Sequence, residues 1–507
     1  MKVLFFISVF ILTLISCQSN EESIGESRPN IVFIIADDVN WNDIGVYGNP
    51  NVRTPNIDQL AADGMMFTQA FLTTSSCSPS RTSIITGQYP HNTDAEQLHW
   101  PLPESKKTFV KELQNAGYWT GLAGKQHMGP HVEDDFDTLM PIKWNENLEA
   151  NGVDRRLIGD GSGCDDWVNL LQARDKEKPF FLWLAAFDAH RPYYDENIIE
   201  QPHTPEEVIL PPYHPDNDSS RKDYRLYYDE ITRMDQYIGD VIGELENQGV
   251  SDNTVILFIT DNGRAFPRDK TTLYEGGIKT PFIVKWPGEI TAGVKNQNMV
   301  SSVDIAPTFM KIAGLELLKQ FEGFDLSGMF TDETASVRDL VYAEDHWHDF
   351  EDYTRAVRTR KFKYIRNFYP DLANTPSADV LRDPTWTGMV QEYEAGTLND
   401  AQLACFQVPR QDEELYDVEN DPFELKNLAL DPEYQSILSD MRGKMSEMRT
   451  LTNDSLPAVR TPDDFHRETG LPTIYRIRPR PSKAIVMEAL LKGEPMTNPS
   501  MKTGVVY

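Results

Sequence analysis

The sequence predicts an α/β fold: a large, doubly wound, mostly parallel sheet, followed by a smaller C-terminal α+β domain that contains an antiparallel sheet. Three observations lead there. Continuous apolar runs such as Ile31-Val32-Phe33-Ile34-Ile35-Ala36 and Thr254-Val255-Ile256-Leu257-Phe258-Ile259-Thr260 have the composition of strands buried on both faces. They alternate with amphipathic stretches, the longest over residues 223–246 with Ile231, Met234, Ile238, Ile242 and Leu245 at helical spacing. Beyond about residue 335 the rhythm changes to short extended runs, Arg355-Ala356-Val357-Arg358 and Phe362-Lys363-Tyr364-Ile365, which suggest antiparallel pairing.

In chain order, Met1-Lys2-Val3-Leu4-Phe5-Phe6-Ile7 opens with one positive charge and runs apolar to about Ile15. This is the pattern of an export signal over residues 1–16, too short for a stable membrane span. Leu14-Ile15-Ser16-Cys17 looks like a bacterial lipobox. Cys17 would then be lipidated and anchor an exported protein in the periplasm or at the outer membrane or cell surface; the alternative is a plain cleaved signal. Residues 17–28 are polar and acidic and read as a tether.

The larger domain, residues 29–340, then repeats strand, loop and helix. The first strand ends in Asp37-Asp38. Asn56 to Ala62 reads as a helix capped by Asn56 and stopped near Gly64, and Thr108 to Ala116 as a second ended by Gly117. Tyr118 to Ala123 is a strand leading into Gly124-Lys125-Gln126-His127, and Pro179 to Ala186 a strand leading into Asp188-Ala189-His190. The long helix stops at Gly249, Thr254 to Thr260 runs into Asp261-Asn262-Gly263, and Pro281 to Pro287 is a fifth strand. Residues 341–450 form the smaller domain, with a helix through about residue 448, and 451–507 a proline-rich extension. Arg476, Arg478 and Arg480 in that extension read as part of a solvated wrap in preference to a polyanion clamp.

A length of 507 residues fits two domains better than one. The net charge of −31 argues against nucleic-acid binding, although a few buried cations can still hold a small anion in a local field. Four cysteines, Cys17, Cys77, Cys164 and Cys405, make no disulfide scaffold; Cys164 and Cys405 are equally open to pairing and to remaining free.

The chemistry-bearing residues share a position. Four strands place polar or ionisable groups just past their carboxyl ends, the edge where open α/β sheets bind ligands. Asp37, Asp38, Asp261 and Asn262 offer only oxygen, which suits a hard cation, and calcium's flexible shell better than magnesium's octahedron. Ser75-Ser76-Cys77-Ser78-Pro79-Ser80-Arg81, closed by Thr86-Gly87, is by itself equally a buried cysteine opening a helix, with Pro79 in its first turn.

Taken together, these motifs resemble the type I sulfatases, which have an alkaline phosphatase-like fold. The resemblance spans most of residues 29–430, including Gly124-Lys125-Gln126-His127, His190 ahead of Pro192, Lys270 five residues before Glu275-Gly276-Gly277, and Glu414-Leu415-Tyr416-Asp417 to Ala429. It implies a sulfuric ester hydrolase in which a formylglycine-generating maturation enzyme oxidises Cys77 to formylglycine (3-oxoalanine). The hydrated aldehyde attacks sulfur. One calcium ion is held by Asp37, Asp38, Asp261 and Asn262 and touches residue 77. Lys125 and Lys270 neutralise sulfate oxygens, and Arg81 steadies the diol. His190 or Lys270 protonates the leaving oxygen, and His127 takes the proton whose loss expels sulfate.

Within the family, Lys125-Gln126-His127-Met128-Gly129-Pro130 and Phe266-Pro267 ahead of Lys270 lean toward the heparan N-sulfatase branch. Lys270, where that branch carries arginine, and the retained Glu275-Gly276-Gly277 depart from it. The implied substrate is a sulfated polysaccharide or oligosaccharide, an algal polymer such as ulvan or a glycosaminoglycan. Candidate sugar contacts are His99, Trp100, His346, His348 and Arg355. The alternatives are an N-sulfoglucosamine sulfohydrolase, a phosphate or phosphonate monoester hydrolase on the same metal edge, and a glycan-binding lipoprotein without catalysis.

Overall fold

The computed structural model describes residues 28–143, 159–193 and 197–498. The signal segment, Cys17 and the tether as far as residue 27 lie outside the described residues.

The larger sheet has eight strands: β1 (Asn30–Ala36), β2 (Met65–Phe71), β3 (Trp119–Gly124), β4 (Thr138–Pro141), β5 (Phe180–Ala185), β6 (Thr254–Thr260), β7 (Phe282–Lys285) and β8 (Val294–Ser301). Their order is β4-β3-β5-β1-β6-β7-β2-β8. All neighbours are parallel except β7, which runs antiparallel to both β6 and β2. The smaller sheet, β9 (Leu340–Asp345), β10 (Thr354–Thr359), β11 (Phe362–Asn367) and β12 (Glu413–Asp417), is antiparallel in the order β12-β11-β10-β9. The α/β class and its antiparallel C-terminal partner therefore stand as the sequence predicts.

The central strands are buried on both faces, and alternate residues feed two cores. Phe33, Ile35, Trp183, Leu257 and Ile259 point to one cluster, packed by Phe309 of a helix at Ile305–Ile312. Val32, Ile34, Leu182, Ile256 and Phe258 point to the other, packed by Tyr227, Ile231, Met234 and Ile238 of the helix Asp218–Asn247. Burying each of these large side chains stabilises by about 1.5–3 kcal/mol. This double burial is why the strands read as unbroken apolar runs.

Several expectations are corrected. The first helix, α1 (Pro55–Ala62), is capped at Thr54 with Pro55 at its first position; Asn56 instead bonds Asp235 through its side chain. The long helix begins at Asp218, not 223, because Asn217 caps it by accepting from Ser220 N. Its first turn is polar and carries no apolar period to betray it. β2 (Met-Met-Phe-Thr-Gln-Ala-Phe) is apolar but interrupted by Thr68-Gln69, while β4 and β8 have no strong apolar signal: β8 (Val-Lys-Asn-Gln-Asn-Met-Val-Ser) is an edge strand and half polar. Cys164 and Cys405 are unpaired. The extension is no solvated wrap: Asp454 and Asp464 are buried ion-pair partners, and Val486 joins the larger core.

Candidate active site

Register explains how distant residues meet. β1 and β6 pair with Ala36 opposite Thr260, so Asp37-Asp38 and Asp261-Asn262 leave the sheet side by side. β5 pairs β1 with Ala185 opposite Ile35, and β3 pairs β5 with Gly124 opposite Ala185. Lys125 and His190 thereby reach the same edge. Gly124 is required: at φ +97°, a Cβ there would lie 1.7 Å from the Ala185 carbonyl oxygen. Gly263 is required for a similar reason, since its Cβ would fall 1.8 Å from the Gly276 carbonyl oxygen of Glu275-Gly276-Gly277.

Residue 77 arrives from the other side. The helix α2 (Cys77–Thr86) follows β2, with extended Ser76 at its cap and all ten residues buried. Cys77 at the first helical position sits in the positive field of the helix end, with Sγ 3.7 Å from Asp37 Oδ1 and 4.0 Å from Asp38 Oδ1. One turn on, Arg81 donates from Nε to Asp261 Oδ2 at 2.8 Å and from Nη1 to the Lys125 carbonyl at 2.8 Å. With Nη2 also 4.0 Å from Asp37 Oδ2, this fully buried guanidinium ties three strand ends to one helix. Lys125 Nζ pairs with Asp37, and Lys270 Nζ donates to Asp38 Oδ2 at 2.9 Å and to Asp379 Oδ2 at 3.2 Å. Thr271 N donates to the Ser75 carbonyl at 3.0 Å, fastening the Lys270 loop to the approach of α2.

Carboxylates outnumber cations here: buried Asp37, Asp38 and Asp261, with half-buried Asp379, face Arg81, Lys125 and Lys270. Burial, then repulsion from Asp261, pushes the Asp37 carboxyl up to about 8 against the pull of Lys125. Asn262 donates to Asp38 Oδ1 at 2.5 Å while its own Oδ1 is buried without a partner. Excess negative charge, oxygen donors and an orphaned amide carbonyl fit a hard divalent cation between Asp37, Asp38, Asp261 and Asn262. Burial raises the Cys77 thiol well above its ordinary value, against the pull of Lys125 and Lys270.

The histidines flank this centre. His127 Nε2 is 2.6 Å from His99 Nδ1, and its Nδ1 is buried with no partner. Burial and Lys125 hold His127 well below its ordinary value, and burial and His127 do the same to His99. His190 donates from Nδ1 to the Arg191 carbonyl at 2.6 Å, leaving Nε2 3.9 Å from Asp379 Oδ2; burial, Lys125 and Lys270 bring it down to about 4. His348 Nδ1 is 2.7 Å from Ser76 Oγ. The loop bearing His190 is braced by two buried bidentate pairs, Asp188–Arg233 and Arg191–Asp223. Asp38, His99, His127 and Thr271 all adopt left-handed φ between 55° and 66°, a strained setting for residues with a Cβ that clusters at functional sites.

Not every predicted sugar contact reaches the site. Trp100 is 1% exposed inside the larger core. Arg355 is fully buried and bound bidentately by Asp454, at 2.8 and 2.9 Å. His346 is buried between Glu344 and Arg355. None of these three is free to touch a sugar; His99 and His348 lie beside the centre. Asp379, which no motif in the sequence marks, joins it from the segment after β11.

A profile of the sulfatase family matches residues 29–315, more than half the chain: the protein belongs to the sulfatase family and is a sulfuric ester hydrolase. A second profile, described as N-sulphoglucosamine sulphohydrolase, C-terminal, matches residues 265–400. Among individual relatives, an ulvan-active sulfatase of Formosa agariphila is 28% identical, over 89% of this chain and 82% of its own. The human N-sulphoglucosamine sulphohydrolase is also 28% identical, over 87% and 94%. A structure solved with its substrate D-glucosamine-2-N,6-O-disulfate superposes with a TM-score of 0.63 at 20% identity, over 85% of this chain and 99% of that one. Another, solved with k-i-k-neocarrahexaose, gives 0.63 at 24%, over 84% and 94%.

Proposed function

We propose that the protein removes sulfate from a sulfated polysaccharide or oligosaccharide, with residue 77 matured to formylglycine as the nucleophile and one calcium ion held by Asp37, Asp38, Asp261 and Asn262. The observation that carries this is the convergence of Cys77, those four oxygen donors and three fixed cations at one sheet edge. The ion would supply Lewis-acid polarisation of a sulfate oxygen, and the matured residue 77 a hydroxyl that an alanine or a thiol cannot.

The chain's own residues do the rest. Arg81, locked by Asp261 and the Lys125 carbonyl, holds the nucleophile in place. Lys125 and Lys270 present ammonium groups to the sulfate oxygens in a water-poor pocket, where such contacts are strongest. His190, with Nδ1–H committed to a carbonyl, has Nε2 to hold the proton for the leaving oxygen; the negative charge of a bound sulfate ester opposes Lys125 and Lys270, the cations that hold its basicity down. His127, neutral by burial, accepts the proton whose loss releases sulfate.

The Formosa relative's name supports an algal polymer such as ulvan, and the human relative with the C-terminal profile supports glucosamine N-sulfate; Lys270, in place of that branch's arginine, favours the former. Export, a lipid anchor at Cys17 and a formylglycine-generating partner belong to the same proposal, and Cys17 lies outside the described residues. The test is a sulfate-release screen over ulvan, glycosaminoglycans and defined oligosaccharides, with the mass of the Cys77 peptide and bound calcium measured first. Release from at least one saccharide is expected. Dominant turnover of phosphate esters, or none by fully matured protein, overturns the proposal.

A further inference from the structure

Asp379 is delivered to the site by a built turn. Ala378 and Val380 on either side are 4% and 0% exposed. Ala378 N donates to Asp349 Oδ2 at 3.1 Å and Val380 N to the Ser377 carbonyl at 2.9 Å, while Asp379 Oδ1 accepts from Ser377 Oγ. The Asp379 side chain itself keeps 24% exposure, with Oδ2 at 3.2 Å from Lys270 Nζ and 3.9 Å from His190 Nε2. An anchored turn thus holds one carboxylate at the rim, between the lysine that faces sulfate and the histidine that faces the leaving oxygen.

Two simpler roles do not account for it. Lys270 already has a fully buried counter-ion, Asp38 at 2.9 Å, so its charge alone does not call for a second carboxylate at the rim. Asp38, His190 and Asp379 offer ligand atoms within 4.8 Å of one another, but Lys270 Nζ bonds both carboxylates and supplies the cation there. What remains is the substrate. Sulfate must sit against Lys125 and Lys270, and the leaving oxygen against His190, so Asp379 beside His190 meets the sugar rather than the sulfate. A fixed carboxylate accepts hydrogen bonds and cannot donate them. For a bare carboxylate, a second anion about 4 Å away is disfavoured by two to three orders of magnitude in affinity; the Lys270 ammonium 3.2 Å from Asp379 and screening by salt both reduce this.

Resting on the sulfatase reading above, we infer that Asp379 reads the sugar position next to the scissile sulfate: it accepts a hydrogen bond from a free hydroxyl or amine there and rejects a second sulfate or a carboxylate. The substrate class is a sugar whose scissile sulfate is flanked by an unsulfated position.

The experiment uses full-chain, matured protein and paired saccharides of one sugar, a monosulfate and its disulfate on adjacent carbons, with 4-nitrophenyl sulfate as a third substrate. Wild type is expected to prefer the monosulfate by about 30-fold or more in kcat/KM, Asp379→Asn to cut that preference at least tenfold, and Asp379→Glu to keep most of it. Equal wild-type turnover of the pair, or an equal loss on both in Asp379→Asn, overturns the inference; the latter would make Asp379 a positioning residue for Lys270 or His190. Should Asp379→Asn not fold, Asp379→Ser takes its place, and a full wild-type monosulfate preference in that variant decides against the inference. Release from 4-nitrophenyl sulfate with no monosulfate preference sinks this inference alone, whereas no release by wild type from any of the three sinks the sulfatase reading with it.

Discussion

Two clusters of buried charge, one past the ends of β1 and β6 and the other on β9 and β10, are built from the same residue types and finished differently. In the second, Arg355 is held by both oxygens of Asp454, which also accept from Tyr342 and Tyr353; Glu344 is shared by His91 at 2.7 Å and His346 at 2.8 Å. Arg355, Asp454, Glu344 and His91 each have their partners, and Asp345, whose Oδ1 is unpartnered at the end of β9, stands outside this network. In the first, carboxylates outnumber cations, Asn262 Oδ1 and His127 Nδ1 have no partner, and four residues at the site, Asp38, His99, His127 and Thr271, are in left-handed backbone. A closed network holds a fold together; an open one waits for ligands.

The comparison can be broken at several points, taken here from the largest expected effect. Replacing Cys77 with Ala should lower sulfate release by at least ~10⁴-fold while the melting temperature moves little, since removing a nucleophile costs catalysis and this one bears no core load. Wild-type-like turnover by that variant would refute the mechanism. Arg355→Ala should do the reverse. Asp454 would keep only Arg449, at 3.1 Å from Oδ2, and two tyrosine hydroxyls, so a loss of up to about 3–5 kcal/mol is expected, read by denaturant unfolding, with kcat of the folded fraction retained. A loss of kcat without a loss of stability would return Arg355 to the site.

His127→Gln should lower kcat by about 10²–10⁴-fold, with KM little changed and a slowed release of sulfate seen in single-turnover kinetics. The closed network also sets a pH dependence. Glu344 lifts His91 from 6.5 to about 9 against the opposing effect of burial, so the folded state binds this proton more tightly than the unfolded state. Its contribution, about 3 kcal/mol, is full below pH 6.5 and fades as pH rises through about 9. His91→Gln should therefore be less stable than wild type at pH 6 and nearly equal to it above pH 9; a constant gap would exclude the linkage. Calcium at 100 times its dissociation constant should stabilise the protein by about 2.7 kcal/mol, seen as a melting shift that a chelator reverses and that Asp38→Asn reduces.

Much of the fold was legible because the central strands are buried twice. Thr254 to Thr260 appears in the sequence with the limits it has in the structure, and the Gly-ended helices follow closely. β8 was not legible, since an edge strand with polar residues looks like loop. The site was legible where chemistry is carried by short motifs: Asp37-Asp38, Gly124-Lys125-Gln126-His127 and Asp261-Asn262-Gly263 each sit directly after a strand. It was not legible where residue type alone had to serve. Arg355 and His346 look like anion and sugar ligands until Asp454 and Glu344 are seen to occupy them, and Asp379 is one aspartate among many until its turn is folded.

By itself, the sequence determined the class of protein, the strands that form its centre and the residues that follow them, because double burial and motif spacing are local properties of the chain. Only the tertiary structure decided that Ala36 lies opposite Thr260, that Arg81 joins α2 to Asp261, that Trp100 is core, and that Asp379 rather than Arg355 reaches Lys270 and His190. Register, burial and the pairing of charges depend on segments hundreds of residues apart, and no local pattern records them.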